Sequence, residues 1–164
     1  MADYTLPFTL ITFPPSGAAD ALLRGRLDDL EAFHVGGIPG AFVTARFRAQ
    51  STLSVAADEV GHRLVKFGTT VLGGSMCLDP ATGEIVQLVG RKASRFFVNT
   101  TLATYTTTVR EVSNAFPFYS DNASVEEIEA AAQRASEVIR SIDREALVPD
   151  RYWSTFVDDM RTGA

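Results

Sequence analysis

Few residues of this chain have the chemistry of a catalytic or metal site. The 164 residues include two histidines, His34 and His62, and one cysteine, Cys77. Neither histidine is followed by a metal-binding residue at the third or fourth position, whereas a zinc site takes three or four such ligands. Cys77 lies in an apolar run and has no basic neighbour in sequence to lower its pKa. We interpret both histidines as structural or exposed and Cys77 as a buried residue, with a nucleophilic cysteine as the alternative.

Two short motifs look like functional loops but lack the residues that such loops need. Ser75 follows two glycines, yet it is not part of the G-x-S-x-G pattern of a serine nucleophile. Asp79 opens the run DPATGE, which resembles a calcium loop, but Ala81 and Gly83 stand where side-chain oxygen ligands are needed. A glycine-rich phosphate loop is also missing. The sequence therefore predicts no catalytic residue, no metal ion and no cofactor.

Surplus acidic residues are concentrated in the last 45 residues. The net charge is −5; residues 1–119 contain 10 acidic and 10 basic residues, whereas residues 120–164 contain 10 acidic residues and 5 arginines. An acidic surface repels the phosphates of nucleic acids and attracts a basic partner. The candidate partner-binding residues are Asp121, Glu126, Glu127, Glu129, Asp158 and Asp159. A solvated helix face is the alternative.

A small basic cluster of Arg91, Lys92 and Arg95 lies between two predicted strands. It is a candidate anion site, particularly if Arg63 and Lys66 of a neighbouring strand lie close to it. A solvated loop is the alternative interpretation.

The composition indicates a single domain of residues 1–164 without a membrane span. No apolar run approaches the roughly 20 residues that a membrane helix needs. Asp3 stands where an export signal would carry positive charge, and one cysteine excludes an internal disulfide framework. We therefore expect a cytoplasmic protein that is a monomer or a weak dimer and contacts neither membrane nor nucleic acid directly.

The order of predicted elements is one helix, several strands and then further helices. A helix is predicted over 18–33, and Gly36–Gly40 ends it. Its single buried stripe consists of Leu22, Leu23, Arg26, Leu27, Leu30 and Phe33. Residues 41–49 favour a strand, while residues 51–61 fit a turn or a short helix. Strands are predicted over 64–70, 75–78, 85–89 and 96–98. This segregation of strands and helices indicates an α+β fold with a twisted, mainly antiparallel sheet covered by helices.

Helix signals are clearest in the C-terminal half. A helix over 100–115 is predicted to start at an Asn99 cap, because asparagine accepts from a free backbone amide there. A second begins at Ser124, which forms a capping-box pair with Glu127. Its apolar stripe consists of Ile128, Ala131, Ala132, Ala135, Val138, Ile139 and Ile142. A short terminal helix places Trp153 on its apolar face, where the indole packs onto the body or, alternatively, anchors a partner.

Several short motifs resemble the SUKH superfamily of bacterial immunity proteins, and most closely its fourth group. The segments that carry the resemblance are SMCLDPATGEIVQLV, FFVNTTLATYTTTV and RYWSTFVDDM. The matching positions are Gly37-Ile38-Pro39 after the first helix, Asp79, Thr82 and Gly83 in the hairpin, Val98-Asn99-Thr100 before the next helix, and Tyr152-Trp153 near the C-terminus. The resemblance extends from about residue 27 to 161.

This resemblance implies a non-enzymatic protein with an α+β fold. Members of the superfamily bind a cognate toxin domain, often a nuclease or a deaminase, and block it in the cell that produces it. Others serve as interaction scaffolds. A toxin domain is therefore the expected partner, and a scaffold or a module that binds a small molecule or an anion is the alternative.

Overall fold

The computed structural model describes residues 8–42 and 46–163. Its strands are β1 (Leu10–Ile11), β2 (Ile38–Pro39), β3 (Ala41–Phe42), β4 (Phe47–Ala57), β5 (Arg63–Thr70), β6 (Ser75–Leu78), β7 (Ile85–Val89) and β8 (Ser94–Asn99). Its α-helices are α1 (Gly17–Leu22), α2 (Leu27–Glu31), α3 (Leu102–Asn114), α4 (Val125–Ile142) and α5 (Tyr152–Thr162). A π-helical turn spans Ala32–Gly36, and 3-10 turns span Val71–Gly73 and Arg144–Leu147. The predicted α+β fold is confirmed.

The main sheet of the described chain has six strands in the order β3-β4-β5-β6-β7-β8, and every neighbouring pair is antiparallel. The two short strands β1 and β2 form a separate antiparallel pair. Three register shifts interrupt the main sheet, one each in the β4–β5, β5–β6 and β7–β8 pairings. Such shifts bend the strands and increase their twist, so the sheet curls.

The β6–β7 hairpin has the predicted strand boundaries, Ser75–Leu78 and Ile85–Val89. In its turn the Asp79 carboxylate accepts a hydrogen bond from the Ala81 amide at 2.8 Å. Gly83 has φ of +80°, a conformation that suits glycine. The turn residues thus serve the backbone, as their types predict.

The two faces of the sheet carry two apolar clusters. Val65, Met76 and Ile85 point into the main core together with residues of α1, α3, α4 and α5. Their neighbours Cys77 and Val86 point to the opposite face, where they form a smaller cluster with Leu64 and Leu88. Because successive side chains of a strand alternate in direction, the continuous apolar strands of this sheet supply both clusters.

The helices form the layer that covers the main core. Both α3 and α5 contact β8, whereas α4 packs chiefly against α3 and α5. Trp153 of α5 is fully buried and makes an edge-to-face contact with Phe42, with ring centroids 5.2 Å apart. The prediction that Trp153 packs the last helix onto the body is confirmed.

The predicted continuous helix over 18–33 is wrong, because the chain leaves the helix between α1 and α2. Arg26 lies at this break and sends its guanidinium to the hairpin turn, where it donates to the carbonyl oxygens of Pro80 at 2.6 Å and Ala81 at 3.2 Å. Leu27, which the periodicity places in the buried stripe, is 69% exposed. A long-range contact has therefore overridden the local helical pattern.

The segment between residues 41 and 61 is mainly strand, and the turn or short helix considered for 51–61 is wrong. β4 runs for 11 residues, Phe47–Ala57, and pairs with β5 along most of its length. Residues 43–45 of the predicted strand lie outside the described residues.

Helix α3 starts two residues later than predicted, and its N-cap is Thr101 rather than Asn99. The Thr101 hydroxyl accepts from the Thr104 amide at 3.0 Å, and the Thr104 hydroxyl accepts from the Thr101 amide at 3.1 Å. At the start of α4 the predicted capping box of Ser124 and Glu127 is confirmed. Asn99 is instead the last residue of β8 and is fully buried.

Asn99 belongs to a buried network centred on Asp143, the residue after α4. The Asp143 carboxylate accepts from the Asn99 amide group at 3.0 Å, from the Thr100 backbone amide at 2.7 Å and from the Thr100 hydroxyl at 2.9 Å. The Thr104 hydroxyl adds a fourth bond at 3.1 Å. Trp153 donates its indole N–H to the Asn99 side-chain oxygen at 2.8 Å. One buried anion thus joins β8, α3, α4 and α5.

Hydrogen bonds determine the ionisation of this carboxyl group. Burial by itself raises the pKa of Asp143, but the bonds from Thr100, Asn99 and Thr104 outweigh burial and lower the pKa below its ordinary value. Asp143 is therefore ionised at neutral pH and its stabilising bonds are charge-assisted.

We predict that Asp143→Ala lowers the free energy of unfolding by about 3 kcal/mol, because it leaves buried donors unpaired. Because the pKa is lowered in the folded state, the contribution of Asp143 is present above the unfolded pKa of about 4 and is lost as pH falls through the folded pKa. Urea unfolding at pH 7 and at pH 3 measures both effects, and the difference between wild type and variant should shrink at the lower pH.

The matched control is Glu145→Ala, which truncates an exposed carboxylate two residues away. It should change stability by less than about 0.5 kcal/mol. An Asp143→Ala protein as stable as this control would contradict the central role of the network.

His34 ties the π-helical turn to the N-terminal segment and to α1. Its Nδ1 lies 2.8 Å from the carbonyl oxygen of Phe13, and its Nε2 lies 2.9 Å from a carboxylate oxygen of Asp20. Both neighbours are acceptors, so only the doubly protonated imidazolium can donate to both. The bond to the Phe13 carbonyl is the largest cause of the raised pKa of His34; burial opposes it and Asp20 adds to it.

A raised pKa in the folded state means that the contribution of His34 is complete below about pH 6.5 and is lost as pH rises through the folded pKa. We predict that the melting temperature of the wild type falls as pH rises above about 6.5 and that His34→Gln removes this fall. His62→Gln is the comparison, since it removes the other histidine, which is 70% exposed and pairs with Asp58 rather than with α1. Equal pH profiles for wild type and His34→Gln would contradict this assignment.

Candidate partner-binding surface

The first two turns of α4 carry three of the predicted acidic residues, and two of them, Glu126 and Glu127, lie in the first turn. Glu127 accepts from the Ser124 amide at 2.7 Å, so it also caps the helix. Glu126 is exposed, and hydrogen bonds from its own backbone amide and from Ser124 lower its pKa. Glu129 lies in the second turn and is also exposed. Negative charge at this position is favoured because the N-terminus of a helix is partially positive.

Arg161 of α5 connects the start of α4 to a fourth predicted residue. Its guanidinium donates to Glu129 at 3.1 Å and to Asp158 at 2.9 Å. The structure thereby brings Asp158 beside the start of α4 although the two are far apart in sequence. We call the four residues Glu126, Glu127, Glu129 and Asp158 the acidic patch; with one arginine among four carboxylates, it keeps a negative charge.

The other two predicted acidic residues have different surroundings. Asp159 accepts from Arg46 at 2.9 Å, and this arginine also lies over the ring of Phe156 with 5.2 Å between Cζ and the ring centroid. Asp159 therefore helps to join α5 to the start of β4. Asp121 is exposed in the turn that precedes α4.

An apolar groove lies between α3 and α4. Its volume is about 210 Å³, and it is lined by Glu111, Val112, Ala115, Phe118, Ala131, Arg134, Ala135 and Val138. The groove exists because alanines at 131 and 135 are too short to fill the space between the two helices. Val138, one of the lining residues, is 36% exposed. Glu127 of the acidic patch and Ala131 of the groove are four residues apart and so lie on the same side of α4.

The predicted basic cluster is divided. Arg95 lies against carboxylates, with Asp79 at 2.7 Å, Glu84 at 3.3 Å and Asp58 at 3.7 Å. Arg91 and Lys92 are exposed in the turn between β7 and β8. The charge of Arg95 is thus compensated within the protein, which leaves the two turn residues as the accessible cations of the cluster.

A wider trough on the same side as Arg95 opens near the end of β4. A cavity of about 560 Å³ is lined by residues that include Asp58, His62 and Arg95. His62 lies 3.2 Å from the Asp58 carboxylate. Backbone amides of His62 and Val60 bond to the same carboxylate, and with His62 they outweigh burial and lower the pKa of Asp58. These contacts hold the turn between β4 and β5 in place.

Cys77 has the environment of a core residue, as predicted. It is fully buried, and burial raises its pKa to about 12. A thiol with this pKa is almost entirely protonated at neutral pH and is a poor nucleophile.

Over residues 8–42 and 46–163, no group of three or more histidine, cysteine or carboxylate side chains is arranged to hold a metal ion. Within the same ranges no helix combines the length and the apolarity needed to cross a membrane.

The groove and the Asp143 network are the features that sequence analysis missed. The spacing of Ala131, Ala135 and Ile139 predicts one buried stripe on α4. It does not show that α3 and α4 leave an open groove between them. Asp143 follows the last predicted apolar residue of α4, and its partners Asn99 and Thr100 lie more than 40 residues earlier. Only the three-dimensional structure shows that Asn99 and Asp143 are buried together and hydrogen-bonded.

The model of the SUKH-4 immunity protein family matches residues 7–159. No curated protein and no solved structure gives a significant match. The match spans nearly the whole chain, from β1 to the last turns of α5, and it agrees with the motif order of the hairpin, the strand-to-helix junction and the Tyr152-Trp153 pair. The chain therefore belongs to the SUKH-4 immunity protein family.

Proposed function

We propose that this protein protects the cell that makes it by binding one cognate toxin domain in the cytoplasm and occluding its active site. Family membership supports an immunity role. The proposal adds that neutralisation is stoichiometric rather than catalytic and that the toxin is a nuclease or a deaminase. Enzymes that act on nucleic acids carry basic surfaces, because they bind phosphates.

The acidic patch is the observation that carries the proposal. Its carboxylates project from the start of α4 and from α5, and Glu126 is fully exposed to solvent. Charges of this kind act over about 10 Å at moderate salt and steer an oppositely charged partner into contact. The patch thus suits the capture of a basic toxin surface.

The direct test is co-expression with the toxin domain encoded next to this gene. We predict that the protein restores growth and forms a 1:1 complex in isothermal titration calorimetry. Rescue should require at least one immunity protein per toxin molecule, because each complex removes one toxin. Continued killing in the presence of excess folded protein would refute the proposal, and rescue at a small fraction of the toxin concentration would refute its stoichiometric mechanism.

A second experiment tests the acidic patch. The double variant Glu126→Gln/Glu129→Gln should lower the association rate constant by about 3- to 10-fold at low salt and reduce its dependence on salt, with little change in dissociation. Both substitutions keep side-chain size, and they spare Glu127, which is needed as a helix cap.

The control is Glu31→Gln/Glu59→Gln, which removes two exposed carboxylates from α2 and from the turn after β4. Both double variants have the same net charge, so any difference between them reports the position of the charge. Stopped-flow measurements from 20 to 300 mM salt compare them. Equal association rates for the two variants would exclude the patch as the steering surface.

A further inference from the structure

The groove between α3 and α4 has the size of a site for one side chain. Its volume is about 210 Å³. A buried apolar cavity of about 150 Å³ accepts a benzene ring, whereas sites for drug-sized ligands and cofactors measure about 300–1,000 Å³. The groove therefore has room for one aromatic or large aliphatic side chain.

The lining makes the groove apolar, with charge at its sides. Six of its eight lining residues are apolar, and Glu111 and Arg134 are the other two. Glu111 pairs at 3.1 Å with its exposed neighbour Arg110, a contact that contributes little in water. Hot spots of protein interfaces typically lie in apolar pockets with a polar rim, into which one partner inserts an anchor residue.

The occupant follows from the neighbouring charges. Glu127 stands one helical turn before Ala131 on the same side of α4, and the rest of the acidic patch continues from it to Asp158 of α5. A partner that covers the patch with basic residues would at the same time bring its surface over the groove.

We infer that the groove receives one apolar anchor side chain that the toxin domain presents within a basic surface. This inference rests on the proposed function and specifies where the toxin binds. Charge at the patch accelerates encounter, while burial of the anchor in the groove slows dissociation.

The test uses two variants that close the groove in different ways. Ala115→Trp places a large side chain at an exposed lining position, and Val138→Glu places a carboxylate at a partly exposed one. Each should weaken binding of a catalytically inactive form of the toxin domain encoded beside this gene by about 10- to 100-fold, mainly through faster dissociation. Surface plasmon resonance measures the rates, and thermal unfolding confirms that each variant is folded.

Matched controls repeat the same substitutions outside the groove. Ala103→Trp changes an exposed alanine near the other end of α3, and Val35→Glu changes a valine of the π-helical turn that is 72% exposed. Both should dissociate within about twofold of the wild-type rate.

Three outcomes separate the possibilities. If the wild-type protein does not bind the toxin domain, the proposed function fails and the inference fails with it. If the wild type binds and both groove variants bind equally well, the function stands and the anchor site is refuted. If the groove variants instead abolish self-association in sedimentation while toxin binding is unchanged, a second copy of this chain occupies the groove and the inference is overturned.

Discussion

The buried carboxylate of Asp143 is the interaction on which the arrangement of the helices depends. Its partners come from the end of β8 and the start of α3, and Asn99 extends the network to Trp153 of α5. A buried anion is tolerated only when donors surround it, and an unpaired donor in the same place is costly. The network therefore restricts where α3, α4 and α5 can lie relative to the sheet.

The residues that reveal the family are mostly those that build this scaffold. Asn99, Thr100 and Trp153 belong to the Asp143 network, and Gly83 supplies the left-handed turn of the hairpin. Gly37 has φ of +88°, and a Cβ atom there would lie 3.2 Å from the Ile11 carbonyl oxygen. These positions specify how the chain folds, whereas the acidic patch and the groove use other residues. Membership in the family thus establishes the scaffold and the general immunity role.

Local signals predicted the parts of the fold that local physics determines. The hairpin strands and the Ser124 capping box were placed correctly because turn residues and helix caps act over a few positions. Errors arose where a distant residue decides. The first helix breaks at Arg26 because that side chain bonds to a hairpin turn more than 50 residues away. Asn99 has the chemistry of a cap, but a partner 44 residues later holds it in the core, and Thr101 caps the helix instead.

For the candidate site too, the sequence predicted what depends on composition and did not predict what depends on three-dimensional geometry. The sequence located the acidic residues, because charge is a property of composition, but it did not show that Arg161 gathers Glu129 and Asp158 into one patch. It also gave no sign of the groove, which depends on the distance between two helices.

Under the proposed function, the position of α4 explains how one scaffold can serve a specific partner. This helix packs chiefly on α3 and α5, and its small buried residues, Ala131, Ala132 and Ala135, face those helices. Its outward side chains make few contacts with the core, so changing them costs little stability. Charge at the start of the helix and shape along its groove act on different steps of binding, since long-range attraction governs encounter and close packing governs release. Under the proposed function, a change of groove lining therefore alters which toxin is retained without slowing how quickly a basic surface is captured.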